Sequence, residues 1–490
     1  MRIGRGDAVT EARDRSTTTN APWIALALVA IVSRLLVIRK LGLFNDEAYY
    51  WEWSRHLAAS YFDHPPAVAY AIAASTHVFG RTAFAIHLPA VLFAALTSVA
   101  LFAHALDLFP GRRFVAWWAV AACNVAPLFG IGAVFTTPDA PCAFFWVATI
   151  ALVWRAVHGS PRAWYLAGVT SGLGLLSKYT FVLVPIAVAI YLLAPRHRRW
   201  WRRREPYAAA AIALVLDLPV LIWNARHGWA SIAFQAVERH AGPWQVPPTL
   251  LRFLVAQQAL STPLWIACVV ALVRSVILAR RGDDVHRFLA CCSATVLAFF
   301  AVAALHTWVN PNWVGLAFVP LMIGAADLLE ARSWVLKAVP LGVAAAVTGT
   351  FLVQALWLVF PVPASADLAV DLHGWEEVGE RCRELVSTMP DPERTFAFSG
   401  KFQLSALAAF HAGDGVRVTR ITGRRDAYDE WRDDASLAGH DAILLREDDH
   451  VPRAGDYAFR SCDAAGRLPI ERNGRTLRTF SFWRCWDYRP

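Results

Sequence analysis

Apolar runs long enough to cross a bilayer recur along this chain with few interruptions, near residues 21–38, 83–106, 114–135, 140–157, 163–176, 179–194, 207–223, 250–279, 288–305, 313–329 and 337–360. A bilayer core asks for about 20 apolar residues per helix, so the pattern predicts a mainly α polytopic membrane protein with about 11 transmembrane helices. The run 163–176 is the shortest of them. Composition agrees: 57% of the 490 residues are hydrophobic and 17% charged, against about 45–50% and 25% in soluble domains. Mean hydropathy is +0.39. A disordered or nucleic-acid-binding chain is excluded. The net charge of +9 is read first as arginine in cytoplasmic loops.

The arginines support that reading. Residues 1–20 form a polar tail with Arg2, Arg5, Arg13 and Arg15, expected in the cytoplasm. Arg112 and Arg113, Arg155 and Arg162, the run from Arg196 to Arg204, Arg280, Arg281 and Arg287, and Arg332 with Lys337 then fall in loops on the same side. The transmembrane unit spans 21–360, and its first outer loop covers 40–82. After Phe360 the sequence becomes mixed and polar, and 361–490 reads as a small α/β domain outside the cytoplasm, entered through Pro361 and Pro363. Of its three cysteines, Cys382, Cys462 and Cys485, the favoured disulfide is Cys462–Cys485.

Chemically capable side chains collect on the outer side. The first loop carries Asn45-Asp46-Glu47-Ala48-Tyr49-Tyr50-Trp51-Glu52-Trp53 and then Tyr61-Phe62-Asp63-His64-Pro65-Pro66. Tyr49, Tyr50, Trp53 and Leu57 would give a helix there an apolar side suited to the membrane interface. Asp46 and Glu47 also fit a helix N-terminus, and Asp139 fits a cap after Pro138. Lys178, one of only four lysines, lies between apolar runs, where a charge costs about 2.5–3.5 kcal/mol and marks a candidate site; its bland alternative is snorkelling to the interface. His306, Asn310 and Asn312 reach the same face. Such a set suits a carboxylate base that activates an acceptor while a lipid-linked phosphate leaves, its charge met by a cation or a divalent metal. Asp63 and His64 are two adjacent ligands for such a metal, with no third defined.

Five strings in order across residues 25–325 then resemble one family: Asp46-Glu47-Ala48-Tyr49-Tyr50-Trp51, Tyr61-Phe62-Asp63-His64-Pro65-Pro66, Thr137-Pro138-Asp139-Ala140-Pro141, Gly172-Leu173-Gly174-Leu175-Leu176-Ser177-Lys178-Tyr179 and Asn310-Pro311-Asn312-Trp313. The chain resembles the membrane glycosyltransferases of the C-type fold, which include glycosyltransferase family 39, the protein mannosyltransferases and the lipid A aminoarabinose transferase. The resemblance implies a polyprenyl-phosphate-sugar donor, an outer-face site in what would be a bacterial inner membrane, and Asp46 as catalytic base. Glu47 would sit beside it, and Asp139 would contact acceptor or support the first loop. The aminoarabinose branch carries an acidic residue and a lysine before the prolines; here the pair is Asp63-His64. Lys178, with His64, is therefore the expected donor-phosphate ligand, and Tyr49, Tyr50, His306, Asn310 and Asn312 are substrate-binding candidates. The implied reaction is an inverting sugar transfer to a lipid, glycolipid or cell-surface glycan. Alternatives are a flippase for a lipid-linked substrate, with Lys178 and Asp139 along its path, and protein O-glycosylation.

Overall fold

A computed structural model describes residues 21–236, 248–305, 307–421, 424–447, 452 and 456–490; the polar tail expected at 1–20 lies outside them. The membrane unit comprises α1 (Ala21–Ile38), α2 (Asn45–Arg55), α3 (Ala67–Phe79), α4 (Ala83–Leu108), α5 (Arg113–Val125), α6 (Pro127–Gly132), α7 (Asp139–His158), α8 (Ala163–Leu175), α9 (Leu183–Leu192), α10 (Arg204–Arg226), α11 (Ala230–Ala236), α12 (Pro248–Ser261), α13 (Leu264–Arg280), α14 (Asp284–Ala303), α15 (Gly315–Leu329) and α16 (Trp334–Trp357).

Six described helices are long and apolar enough to cross a bilayer, or seven if a bent pair over Tyr179–Leu192 and Pro195–Arg202 counts as one span. The expected count of about eleven is thus not confirmed among the described residues. Backbone punctuation explains the difference. The run 114–135 breaks at Pro127 into α5 and α6, and 250–279 breaks before Pro263, where Thr262 has a φ of 53°. The run 163–176 yields only the 13 residues of α8. Close packing compensates for the short length of α8. A Cβ at Gly168 would lie 2.6 Å from the Ala209 carbonyl oxygen, and one at Gly172 would lie 2.7 Å from Leu216 Cβ, so α8 and α10 meet through glycines spaced four apart.

Ion pairs tie one end of the bundle and show which loops share it. Arg112 reaches Asp327 at 2.5 Å and also pairs with Glu330; Arg155 reaches Asp107 at 2.5 Å; Arg274 pairs with Asp327. The arginine loops thus gather at one end. At the other end stand the first loop, the start of α7 and everything after α16.

Beyond Phe360 the chain adds α17 (Trp375–Ser387), β1 (Thr395–Ser399), α18 (Phe402–Ala412), β2 (Val418–Arg420), β3 (Asp441–Arg446), β4 (Phe459–Arg472) and β5 (Arg475–Tyr488). The sheet order is β2-β1-β3-β5-β4, parallel among the first three strands and antiparallel thereafter. Every residue of β1 is buried, as expected for a parallel strand covered on both faces. Cys462 and Cys485 face each other across β4 and β5 and are joined, leaving Cys382 as a buried free thiol.

This domain sits on the first loop. Tyr49 packs on Phe402 with ring centroids 4.4 Å apart, Trp51 meets Phe410 edge-on at 5.0 Å, and Arg81 pairs with Asp414 at 2.8 Å. The aromatic face of α2, expected to lie against lipid, instead carries the outer domain; Tyr49, Tyr50 and Trp53 are buried and only Leu57 stays exposed. Nearby, a Cβ on Gly42 would come within 2.1 Å of the Leu372 carbonyl oxygen. That is backbone against backbone. Gly42→Ala should destabilise the docked domain by about 1–3 kcal/mol, read as a lower thermal midpoint and faster proteolysis of 361–490; an unchanged midpoint would show that the approach is not firm.

Candidate active site

Helix α2 begins after Phe44, an extended residue, and its first turn is acidic. Glu47 folds back so that its carboxylate accepts from the Phe44 amide at 3.2 Å, which caps the helix. The same side chain is fully buried, with Oε1 2.8 Å from His87 Nδ1 and accepting from the Thr136 amide at 2.6 Å. Glu47 thus pins the first loop to α4 and to the segment before Asp139. Both oxygens of Glu47, expected beside Asp46 in the site, are thus engaged by the Phe44 and Thr136 amides and by His87.

Asp46, on the same turn, is half-buried. Burial and the neighbouring Asp63 push its carboxyl up to about 6, against a hydrogen bond from Gln403 and the charge of Arg424, which favour the ionised form. Asp63 is held on both sides: Tyr49 donates its hydroxyl at 3.0 Å, and Arg424 donates at 2.6 Å. Tyr49 also accepts from the Ala427 amide at 2.9 Å. Tyr49, a substrate-binding candidate by sequence, thus bridges the first loop and the outer domain, and Tyr50 is buried beside it.

Arg424 and Gln403 were not foreseen. The guanidinium of Arg424 sits 5.1 Å over the Phe234 ring and 5.0 Å over Phe402, in reach of Asp63. The outer domain therefore delivers the permanent cation that the Asp63-His64 pair lacks. The Arg424-Arg425 doublet was the available signal, but nothing in its own neighbourhood connects it to the first loop. Burial also raises the Asp426 carboxyl to about 7, despite nearby Arg420. For His64, the structure shows its carbonyl accepting from the Tyr61 amide at 3.2 Å and its ring 6.4 Å from Tyr50.

A second polar cluster forms where α8 stops. Lys178 is extended, and a 3₁₀ turn over Tyr179–Val182 follows it, so the span is broken at the lysine. The Leu176 carbonyl freed by the break accepts from the Ala67 amide at 2.9 Å, docking the corner after Pro65-Pro66 onto it. Lys178 is buried and pairs with Asp139 at 2.6 Å; the other Asp139 oxygen accepts from Asn312 at 3.0 Å. Asp139, Lys178 and Asn312 are brought together. Asn310 instead accepts from the Trp308 indole at 2.8 Å, and His306 lies outside the described residues. Asp139 and Asn312 also line a cavity of about 520 Å³ with mostly apolar walls, including Leu128, Phe135 and Phe351. Arg34 lies on the same wall and donates to Asn124 at 2.7 Å.

The metal expected at Asp63 and His64 finds a poor fit. Arg424 stands where a cation on Asp63 would stand. Among the described residues, the one grouping of three metal-ligating side chains is His158, His197 and Asp284, at the far end of the bundle.

Residues 63–223 match the family model described as dolichyl-phosphate-mannose-protein mannosyltransferase. The chain is 29% identical over 305 residues to the lipid A galacturonosyltransferase RgtD of Rhizobium johnstonii, covering 58% of this chain and 60% of that one. It is 28% identical to the undecaprenyl phosphate-alpha-4-amino-4-deoxy-L-arabinose arabinosyl transferase of Pseudomonas aeruginosa, covering 58% and 53%. The aligned part is thus 60% or less of the length of these curated relatives. Among solved structures, ArnT from Cupriavidus metallidurans superposes with a TM-score of 0.69 in the apo state and 0.67 bound to undecaprenyl phosphate, at 16% and 17% identity, each covering 95% of this chain and 98% of that one. The fold is shared over nearly the whole chain. The resemblance to the C-type-fold glycosyltransferases read from the five strings holds.

Proposed function

We propose that this protein is a glycosyltransferase of a bacterial inner membrane that moves one sugar, with inversion, from an undecaprenyl-phosphate-linked donor to a lipid A, core or other lipid-linked glycan acceptor on the outer face. The observation that carries this reading is Asp46, a half-buried carboxyl held near neutrality at the mouth of a membrane bundle, with Arg424 in the same charge cluster. The curated relatives named above, both sugar transferases, support it. So does the undecaprenyl phosphate bound by a protein of the same fold.

In this reading Asp46 takes the proton of the acceptor hydroxyl as its oxygen forms the new bond to the anomeric carbon. The bond from that carbon to the phosphate oxygen breaks, and the phosphate leaves with the electron pair. Arg424 meets the developing charge from the outer domain. Lys178 adds a second cation by exchanging Asp139 for the phosphate. The apolar cavity beside Asp139 suits a lipid chain.

Reconstituted protein given a mixture of undecaprenyl-phosphate sugars and an extracted lipid fraction tests the proposal. Transfer of label to lipid is expected; donor binding without transfer under every condition would overturn it in favour of a flippase. The pH profile is a further prediction. Because the raised carboxyl must be ionised to act, kcat/KM should rise through about pH 6 and level off above it. A rate flat from pH 5 to 8 would remove Asp46 as the titrating base.

A further inference from the structure

At the end of the bundle opposite Asp46, three segments far apart in the sequence bring two imidazoles and a carboxylate together. His158 ends α7, His197 lies in the 3₁₀ segment Pro195–Arg202, and Asp284 opens α14. His197 Nε2 stands 2.9 and 3.0 Å from the two Asp284 oxygens, and His158 Nε2 stands 3.1 Å from one of them. One ligand atom from each residue lies within 4.8 Å of the other two. The Tyr191 hydroxyl closes the group, 3.0 Å from His158 Nε2 and 2.9 Å from Asp284. Arg196 approaches Asp284 at 3.4 Å, with a side chain 48% exposed.

We propose that His158, His197 and Asp284 form a binding site for a divalent transition metal, with zinc the best match to the donors. Two imidazole nitrogens and a carboxylate oxygen make a borderline ligand set of the kind zinc takes in three-ligand sites. Both imidazoles present the same nitrogen, Nε2, to the carboxylate, so the donors already converge on a point. Tetrahedral ligands about 2.0–2.2 Å from zinc stand roughly 3.3–3.5 Å from one another. The present separations to Asp284 are a few tenths of an ångström shorter, as fits hydrogen bonds between the ring nitrogens and the carboxylate. A metal takes the place of the bridging protons: each ring binds through Nε2 as a neutral imidazole with its one proton on Nδ1, and any displaced proton is released to solvent. The fourth position falls to the Tyr191 hydroxyl or to water. Arg196, the competing cation, has the exposure to swing into solvent. His197 is buried while the His158 side chain is 34% exposed, which leaves an entry path from the rim. Bound there, the metal clasps the ends of α7 and α14 through the arginine-rich loop, far from the carboxylate site and independent of its chemistry.

The test uses the full chain, purified in detergent without a polyhistidine tag, stripped with chelator and titrated with zinc chloride. Wild type is expected to bind one equivalent that both His158→Ala and His197→Ala lose and Asp63→Asn keeps. Zinc should raise the thermal midpoint of wild type and leave those of the two histidine variants unmoved. Cobalt substituted for zinc should give a tetrahedral visible spectrum in wild type and Asp63→Asn and none in the two histidine variants. Should buried His197 prove necessary for folding, His158 at the rim carries the test. Zinc stoichiometry equal to that of wild type in both variants, or no zinc bound by wild type, would overturn the site.

Discussion

Asp46→Asn should lower kcat/KM by about 10²–10⁴-fold, the usual worth of a positioned general base, while the chain inserts and folds as before. Asn keeps the size of the side chain and removes its charge. Since burial and Asp63 already disfavour that charge, the variant should lose no stability and should bind undecaprenyl phosphate as wild type does. The measurement is single-turnover transfer beside donor binding on the same preparation. Full transfer by a correctly inserted variant would take the base away from the first loop.

Arg424→Ala should cost about 10²–10³-fold in kcat, the range seen when a group aimed at developing negative charge is removed. The substitution also strips Asp63 of its partner, and a buried carboxylate without its cation is costly. Two readouts separate chemistry from mere destabilisation. Arg424→Lys should recover part of the rate, less than fully because an ammonium cannot reproduce the planar fork. The acid limb of the pH profile should move upward in Arg424→Ala, because Arg424 is one of the groups that favour the ionised form of Asp46. An unchanged limb together with an unchanged rate would place Arg424 outside the site.

What could be read from the sequence was what local composition encodes. Apolar runs declared the membrane bundle, and the strings around Asp46, Asp139 and Lys178 declared the resemblance to the C-type-fold glycosyltransferases because each is a short contiguous motif. Helix breaks were less legible. Whether Pro127 or Pro263 ends a helix depends on what satisfies the freed backbone groups, which a one-dimensional pattern does not contain. Long-range partnerships were the least legible. The bond between Arg424 and Asp63 joins positions 361 residues apart, and no periodicity marks either end. Tyr49 shows the same limit: its aromatic ring suited an interface, and only the docked domain reveals that the interface is with protein. Glu47 looked like the twin of Asp46, yet one helix turn sends neighbouring side chains in different directions.

The docking of the last 130 residues onto the first loop also fixes when this molecule becomes competent during its own synthesis. Asp46 enters the membrane with the first spans to emerge from the ribosome, whereas Arg424 and Gln403 follow only after every helix of the bundle has been threaded. On the proposed function, a nascent or truncated chain that lacks the outer domain holds Asp63 without Arg424 and should transfer sugar no faster than Arg424→Ala. On that reading the first-loop carboxylates gain Arg424 only once the outer domain has been made and docked.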